Sequence, residues 1–388
     1  TMDEKKGKLT FLEAASTVAG YGIGAGIMAV PYLAVRSGVG PLIGIMVVAY
    51  LISILFHLML VDMTLRDGGR TQLMEILAKY LFVGRAGAVF TWVFFVLIVF
   101  AFFGTLITYL VGGGEVLNST FGIPLVPGFI ITYLLAAVVV FFGLKAVGVV
   151  EKFSVAGIAI VVVTLLVLSL FRPFRLDLFA AGAGVKEALA LYGMVMFSFY
   201  SMFSIPQAVK GLSDRPRLAP WAVVTGIGIT FVTVLLISLA AMGVSKEVTS
   251  NAIVGWSEAI GPWAKYLGSI FIVLAFLTSF WSISLALADV LRERLNWNDK
   301  ICWLLATLPC LLISFFKLQN FLEYLRLTGG VIGILLVIIM IPAYLSVKKK
   351  GVVKKPAWTL GFFGKGVFLW TVLIGFLLMA VGSAIPIK

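Results

Sequence analysis

A chain of 388 residues that is 61% hydrophobic and 12% charged carries more apolar surface than a water-soluble fold can bury. The composition excludes a soluble globular protein and points to an all-α polytopic membrane protein. The net charge of +13 does not mark a nucleic-acid binder, because the basic residues sit in short segments between apolar spans, where they report orientation.

About 20 apolar residues cross the hydrocarbon core as a helix. By that measure eleven spans follow in order: 10–36, 40–66, 84–111, 125–143, 149–171, 184–210, 217–243, 262–292, 298–316, 320–347 and 362–386. Thr1–Lys8 is polar and basic and leads into a full-length span, so no cleavable signal peptide is expected. The first span contains Ala19-Gly20-Tyr21-Gly22-Ile23-Gly24-Ala25-Gly26-Ile27-Met28. Each glycine inside a helix costs roughly 1 kcal/mol against alanine, so four at alternate positions predict an unwound stretch. Lipid cannot satisfy the freed N–H and C=O groups; they must be buried in protein or face a polar ligand. The competing reading is close packing of two helices through small residues.

Between spans two and three, Thr71–Leu81 reads as a short amphipathic helix on the membrane surface, with Thr71 as its cap. The segment from Gly112 to Pro127 reads as an outer loop and holds the sequon Asn118-Ser119-Thr120. Span six runs Gly193-Met194-Val195-Met196-Phe197-Ser198-Phe199-Tyr200-Ser201-Met202-Phe203-Ser204-Ile205-Pro206. Its hydroxyls at 198, 201 and 204 share one helical face and Pro206 follows, which predicts a second discontinuous helix, unwound near Phe197–Ser201 as the first is near Gly22–Gly26. A kinked helix with serines bonded to their own backbone is the alternative. Cys302 and Cys310 have neither disulfide nor metal spacing around them.

With the N-terminus inside, inner segments hold 21 of the 30 Lys and Arg residues and outer segments 9. The positive-inside rule then places the N-terminus in the cytoplasm and, with an odd span count, Lys388 outside, in a plasma membrane. Span six begins about 174 residues after span one, and the next four pairs keep offsets between 171 and 178. Five spans per unit is odd, so the second copy is inverted. The chain divides into a first repeat (1–171), an inverted second repeat (184–347) and an extra helix (362–386), a pattern that points to a secondary transporter.

The run from Ala19 through Met28 to Ala29-Val30-Pro31 resembles the first helix of the amino acid/auxin permease family, closest to its aromatic and hydroxy amino acid permease branch. Phe197-Ser198-Phe199 through Ser204-Ile205-Pro206 resembles that branch's sixth helix. Thr278-Ser279-Phe280 with Leu285-Ala286-Leu287-Ala288-Asp289 resembles its eighth. Tyr21, bulky where many members have a small residue, and Trp281 depart from the pattern. The resemblance implies the LeuT-type fold of amino acid–cation symporters.

A zwitterionic amino acid suits two broken helices. Gly24, Ala25 and Gly26 offer backbone amides and a positive helix end to a carboxylate. Carbonyls around Phe197–Tyr200 accept from the ammonium, Phe197, Phe199 and Tyr200 touch the side chain, Ser198 and Ser201 line the break, and Tyr109 donates to the carboxylate. The resemblance also implies a cation site made by the carbonyls of Gly20, Ile23 and Ala275 and the hydroxyls of Thr278 and Ser279. Five neutral oxygens favour sodium as coupling ion, with no other cofactor. Some proton-coupled members of the fold place a span-five lysine in this space; Val155–Thr164 has none.

Proton symport or exchange is the alternative, with His57, Asp62 and Glu13 as its ionisable groups. Asp289 and Glu293 lie near the inner boundary, and a Lys5–Glu293 pair is a candidate cytoplasmic gate. An intramembrane enzyme lacks support: there is no HExxH, no GxSxG and a single histidine. No span offers a channel filter. The expected partners are an amino acid and the lipid bilayer, with no nucleic acid and no obligate protein partner.

Overall fold

The helices of this chain follow from long apolar runs punctuated by glycine and proline, and their interruptions decide where polar backbone is available. The computed structural model describes residues 7–175, 184–245, 247–248, 252–316 and 338–385, and only the backbone of Ala25. Among the described residues there is no strand. The helices are α1 (Phe11–Gly22), α2 (Ala25–Ser37), α3 (Val39–Arg66), α4 (Leu73–Tyr80) and α5 (Gly84–Phe121). Next come α6 (Leu125–Phe141), α7 (Leu144–Ser169), α8 (Val185–Ser198), α9 (Ser204–Gly211) and α10 (Ala219–Val244). Then follow α11 (Ala252–Ile260), α12 (Ala264–Leu295), α13 (Asp299–Ser314), α14 (338–350) and α15 (Gly366–Ala384).

Six described helices are long and apolar enough to cross a membrane: α3, α5, α7, α10, α12 and α15. The bent pair α1 and α2, at 55°, adds a seventh span. Of the eleven expected spans, the first and sixth are divided by breaks, as the sequence predicts. The 17 residues of α6 and 16 of α13 reach about 25 Å at 1.5 Å per residue, short of a ~30 Å hydrocarbon core. Most of the tenth expected span lies outside the described residues.

One correction concerns α5, which continues through Gly112–Gly114 to Phe121 where an outer loop was expected. Those glycines serve packing. A methyl carbon added at Gly113 would lie 2.7 Å from Thr132 Cγ2, and one at Gly114 would collide with Phe129, both on α6. Close approach of two helices thus replaces a loop. The sequon sits at the helix end, where Asn118 Nδ2 donates to Ile123 O at 2.9 Å.

The end of the bundle rich in Lys and Arg is fixed by ion pairs. Thr10 and Glu13 form a complete capping box at the start of α1, and Glu13 also pairs with Lys145 and Lys152 of α7. Asp67, just past α3, accepts from Lys79 Nζ at 2.6 Å and Tyr80 Oη at 2.8 Å, tying the amphipathic α4 to the bundle. That carboxylate raises the Lys79 amine above its ordinary value. Gln72, not Thr71, occupies the cap position of α4; the Thr71 hydroxyl is drawn to Asp67 instead.

At the centre lies α12, the most deeply buried of the membrane-length helices described. It packs against α1, α5 and α7, while α1 also packs against α10 and α2 against α8. The break between α1 and α2 is therefore enclosed on all sides by protein.

Candidate functional site

The first interruption falls at Ile23–Gly24. Ile23 N–H still reaches Ala19 O at 2.7 Å, but Gly24 N–H turns back to Gly22 O at 2.8 Å and the α1 ladder ends. Ala25 and Gly26 open α2, so their N–H groups have no acceptor one turn back in their own helix. The second interruption covers residues 199–203, between α8 and α9, slightly beyond the expected Phe197–Ser201.

The two interruptions face each other. A methyl carbon at Gly22 would lie 2.9 Å from Ser198 O and 3.1 Å from Ser201 Oγ. One at Gly26 would lie 2.6 Å from Ser198 Oγ and 3.1 Å from Phe197 Cδ1. One at Gly24 would lie 2.5 Å from Ser279 Oγ and 2.8 Å from Tyr109 Oη. The fold thus assembles Gly24, Gly26, Tyr109, Phe197, Ser198 and Ser201 from three helices and the two breaks. The Ser198 hydroxyl donates to Met194 O at 3.0 Å, as a helix serine bonded to its own backbone does.

Two residues expected at the substrate side chain are turned elsewhere in this form. The Phe199 ring lies 6.2 Å from Tyr50 and 6.1 Å from Phe231, between α3 and α10. The Tyr200 ring meets Phe376 of α15 at 6.2 Å, and its hydroxyl donates to Met202 Sδ. Unwinding frees these rings from the helical face that sequence spacing assigns them, and both bury against neighbouring helices.

His57 holds the second interruption. Its Nδ1 lies 2.6 Å from Ser53 O, and Ser201 N–H donates to its Nε2 at 3.0 Å. A carbonyl only accepts and an amide N–H only donates, which fixes the proton on Nδ1. Asp62 does not share this site: it takes Arg66, the Tyr344 hydroxyl and Leu360 N–H. Because the Ser201 amide is buried, His57→Leu leaves it without its acceptor. Stability should fall by about 1–3 kcal/mol, read as a lower unfolding temperature in detergent.

A row of hydroxyls on α12 meets the carbonyls at the end of α1. Ser279 Oγ lies 3.0 Å from Gly20 O and 3.3 Å from both Tyr21 O and Ile23 O. Thr278 Oγ1 lies 3.0 Å from Ala275 O and 3.5 Å from Ile23 O. All five oxygens named for the cation site are therefore linked by contacts of 3.5 Å or less. The set suits a hard monovalent cation in donor type; the Gly20 and Ile23 carbonyls come from the end of α1, where the helical ladder stops, and the Ala275 carbonyl from within α12.

One residue in this region escaped the sequence reading. Glu151 of α7 is fully buried, and Ser282 Oγ donates to its Oε1. Its Oε2 has no hydrogen-bond partner among the described residues. The Thr17 hydroxyl lies beside the carboxyl but donates to Glu13 O at 3.0 Å. The expected fifth span starts at 149, which puts Glu151 at its edge; α7 begins at Leu144, which carries it about two turns into the helix. An ionisable residue inside an apolar run was the available signal.

Of the proposed gate, Lys5 lies outside the described residues. Glu293 accepts from Gln72 N–H at 2.9 Å, at the start of α4, and Asp289 pairs with Arg292 at 2.8 Å.

Three solved structures share the architecture. A nucleobase–cation symport-1 family transporter, closed around bromovinylhydantoin, superposes with a TM-score of 0.67 at 14% identity, over 98% of this chain and 91% of that one. A manganese transporter of Eremococcus coleocola in point-mutant form gives 0.63 at 14% identity, over 96% and 85%. The same transporter bound to an aromatic bis-isothiourea compound gives 0.57 at 14% identity, over 96% and 85%. At such identity the likeness is one of fold, the LeuT-like transporter fold. No curated relative matches the sequence. The tryptophan/tyrosine permease family matches over residues 8–382. That name differs from the amino acid/auxin permease family whose motifs the sequence resembles, while the aromatic character of the resembled branch agrees with it. The chain is an integral membrane permease and belongs to the tryptophan/tyrosine permease family.

Proposed function

We propose that the chain is a secondary active transporter of aromatic amino acids, coupled to a monovalent cation and working by alternating access. The supporting observation is the pair of opposed helix interruptions, one offering the N–H groups of Ala25 and Gly26, the other the carbonyl of Ser198. A carboxylate suits the first and an ammonium the second, which together describe an amino acid backbone. Tyr109 Oη beside Gly24 is a further donor for the carboxylate, and Phe197 beside Gly26 an apolar wall for the side chain. The family match favours tryptophan and tyrosine as cargo.

Sodium is the proposed ion, held by Gly20, Ile23, Ala275, Thr278 and Ser279. The two interruptions sit in the first helices of two inverted five-helix repeats, 1–171 and 184–347, with 362–386 as the extra helix. In this reading the N-terminus is cytoplasmic and the membrane is the plasma membrane. A Lys5–Glu293 pair closing the inner vestibule remains part of it.

Thermal stability of the purified protein tests the substrate. Tryptophan and tyrosine in sodium buffer should raise the unfolding temperature, and substitution of choline for sodium should remove the shift. Stabilisation by neither amino acid in either buffer would overturn the reading.

A further inference from the structure

The hydroxyl row on α12 does not stop at Ser279. Ser282 Oγ lies 3.3 Å from Thr17 O and donates to Glu151 Oε1. Three residues along α12 from Ser279 thus meet three residues back along α1 from Gly20. The same hydroxyl-to-carbonyl contact repeats one turn further on, about 5 Å along the helix axis, toward the end rich in Lys and Arg. The second copy differs in one respect: α7 inserts a carboxyl into it. A methyl carbon at Gly20 would lie 3.5 Å from Glu151 Cδ and 3.2 Å from Thr278 Cβ, so the two copies adjoin.

Burial makes that carboxyl informative. Glu151 is fully buried, and its Oε2 lacks a partner among the described residues. An isolated charged carboxylate in an apolar interior is among the costliest groups to bury unless a charge or hydrogen bonds offset it. Nearby charges are committed elsewhere. Lys145 and Lys152 of α7 both pair with Glu13 on α1. On the other helices packed against α7, α10 carries no ionisable side chain, and α6 carries only Tyr133, which faces the Thr307 hydroxyl. On α11 Glu258 pairs with Lys265, and α9 contributes Lys210 at its far end. The ionisable groups of α12 lie at its two ends, Lys265 and Tyr266 at one and Asp289 to Arg294 at the other. The remaining group on α1 is Tyr21, beyond Gly20.

We propose that Glu151, Ser282 and the Thr17 carbonyl form a second site for a monovalent cation, adjoining the five-oxygen site. One carboxylate among neutral oxygens balances a single positive charge; a divalent ion would leave an excess charge buried. The proposal adds an ion to the transport reading above and rests on its cation coupling, but on different side chains. With two sites, two sodium ions bind per chain, and the site holding a full negative charge binds the tighter one.

Equilibrium binding of radioactive sodium to the purified full-length protein, with tryptophan present, tests this directly. The wild type should bind two sodium ions. Glu151→Gln, which keeps the shape and an acceptor for Ser282, should bind one. Glu151→Asp should retain two with weakened affinity, which separates loss of charge from misfolding. Thr278→Val should keep the Glu151 ion. One ion in the wild type, unchanged in Glu151→Gln and lost in Thr278→Val, would overturn the second site while leaving the five-oxygen site intact. One ion lost in Glu151→Gln and kept in Thr278→Val would support Glu151 and overturn the five-oxygen assignment. No sodium bound to any form would overturn both.

Discussion

Gly24→Leu is expected to abolish transport while leaving a folded protein. Even the first carbon of the new side chain would lie 2.5 Å from Ser279 Oγ and 2.8 Å from Tyr109 Oη, where the carboxylate of a substrate is proposed to sit. Gly24 has φ −131°, outside the left-handed region that demands glycine, so the close contacts are the obstacle. What disappears is the close approach of a ligand to the amides of Ala25 and Gly26. Two hydrogen bonds to a charged group, at about 1.5–3 kcal/mol each, correspond to a loss on the order of 100-fold or more in affinity. Uptake into proteoliposomes measures the effect, with gel filtration and thermal unfolding as checks on folding. A folded variant that transports at the wild-type rate would refute the assignment.

The second large effect is expected at Thr278. Its hydroxyl links Ala275 O and Ile23 O, and valine keeps its shape while deleting that oxygen. Thr278→Val should raise the sodium concentration for half-maximal uptake about tenfold, equivalent to ~1.4 kcal/mol. Substrate affinity at saturating sodium should change much less. Thr278→Ser keeps an oxygen and should be milder. Linkage supplies an internal check: if sodium tightens amino acid binding, the amino acid must tighten sodium binding by the same factor. An unchanged sodium dependence in Thr278→Val would remove this residue from the ion site.

Much of this arrangement was readable from residue order, for physical reasons that differ from place to place. Four glycines at alternate positions weaken a helix interior, so a break near Gly22–Gly26 was readable; only Ile23 and Gly24 leave the helices, while Gly20, Gly22 and Gly26 stay helical. The serine spacing and Pro206 pointed to the second break, yet not to its exact extent, because helix ends shift with packing. Glycines alone do not distinguish a break from a close contact. Gly112–Gly114 resembled a loop and instead lies inside α5 against α6.

Directions of side chains leaving an unwound segment are not encoded in spacing, which is why Phe199 and Tyr200 are found against Tyr50, Phe231 and Phe376. Glu151 was missed for a simpler reason: hydropathy placed the start of the fifth span five residues after the helix begins. The groups first considered for proton coupling have partners instead. His57 bonds Ser53 and Ser201, Asp62 pairs with Arg66, and Glu13 pairs with Lys145. The Ser201 bond of His57 and the Lys145 pair of Glu13 join distant parts of the chain, whereas Arg66 lies one helical turn from Asp62.

The central claim is that amino acid movement is driven by a cation gradient through the paired breaks. Proteoliposomes containing the purified chain, with an inward sodium gradient, equal pH on both sides and clamped membrane potential, test it most directly. The account predicts that tryptophan or tyrosine accumulates above its external concentration and that the accumulation collapses when the sodium gradient is dissipated. Undiminished accumulation with no sodium on either side, driven by a pH gradient alone, would contradict the sodium assignment; failure to accumulate either amino acid under any cation gradient would contradict the claim itself.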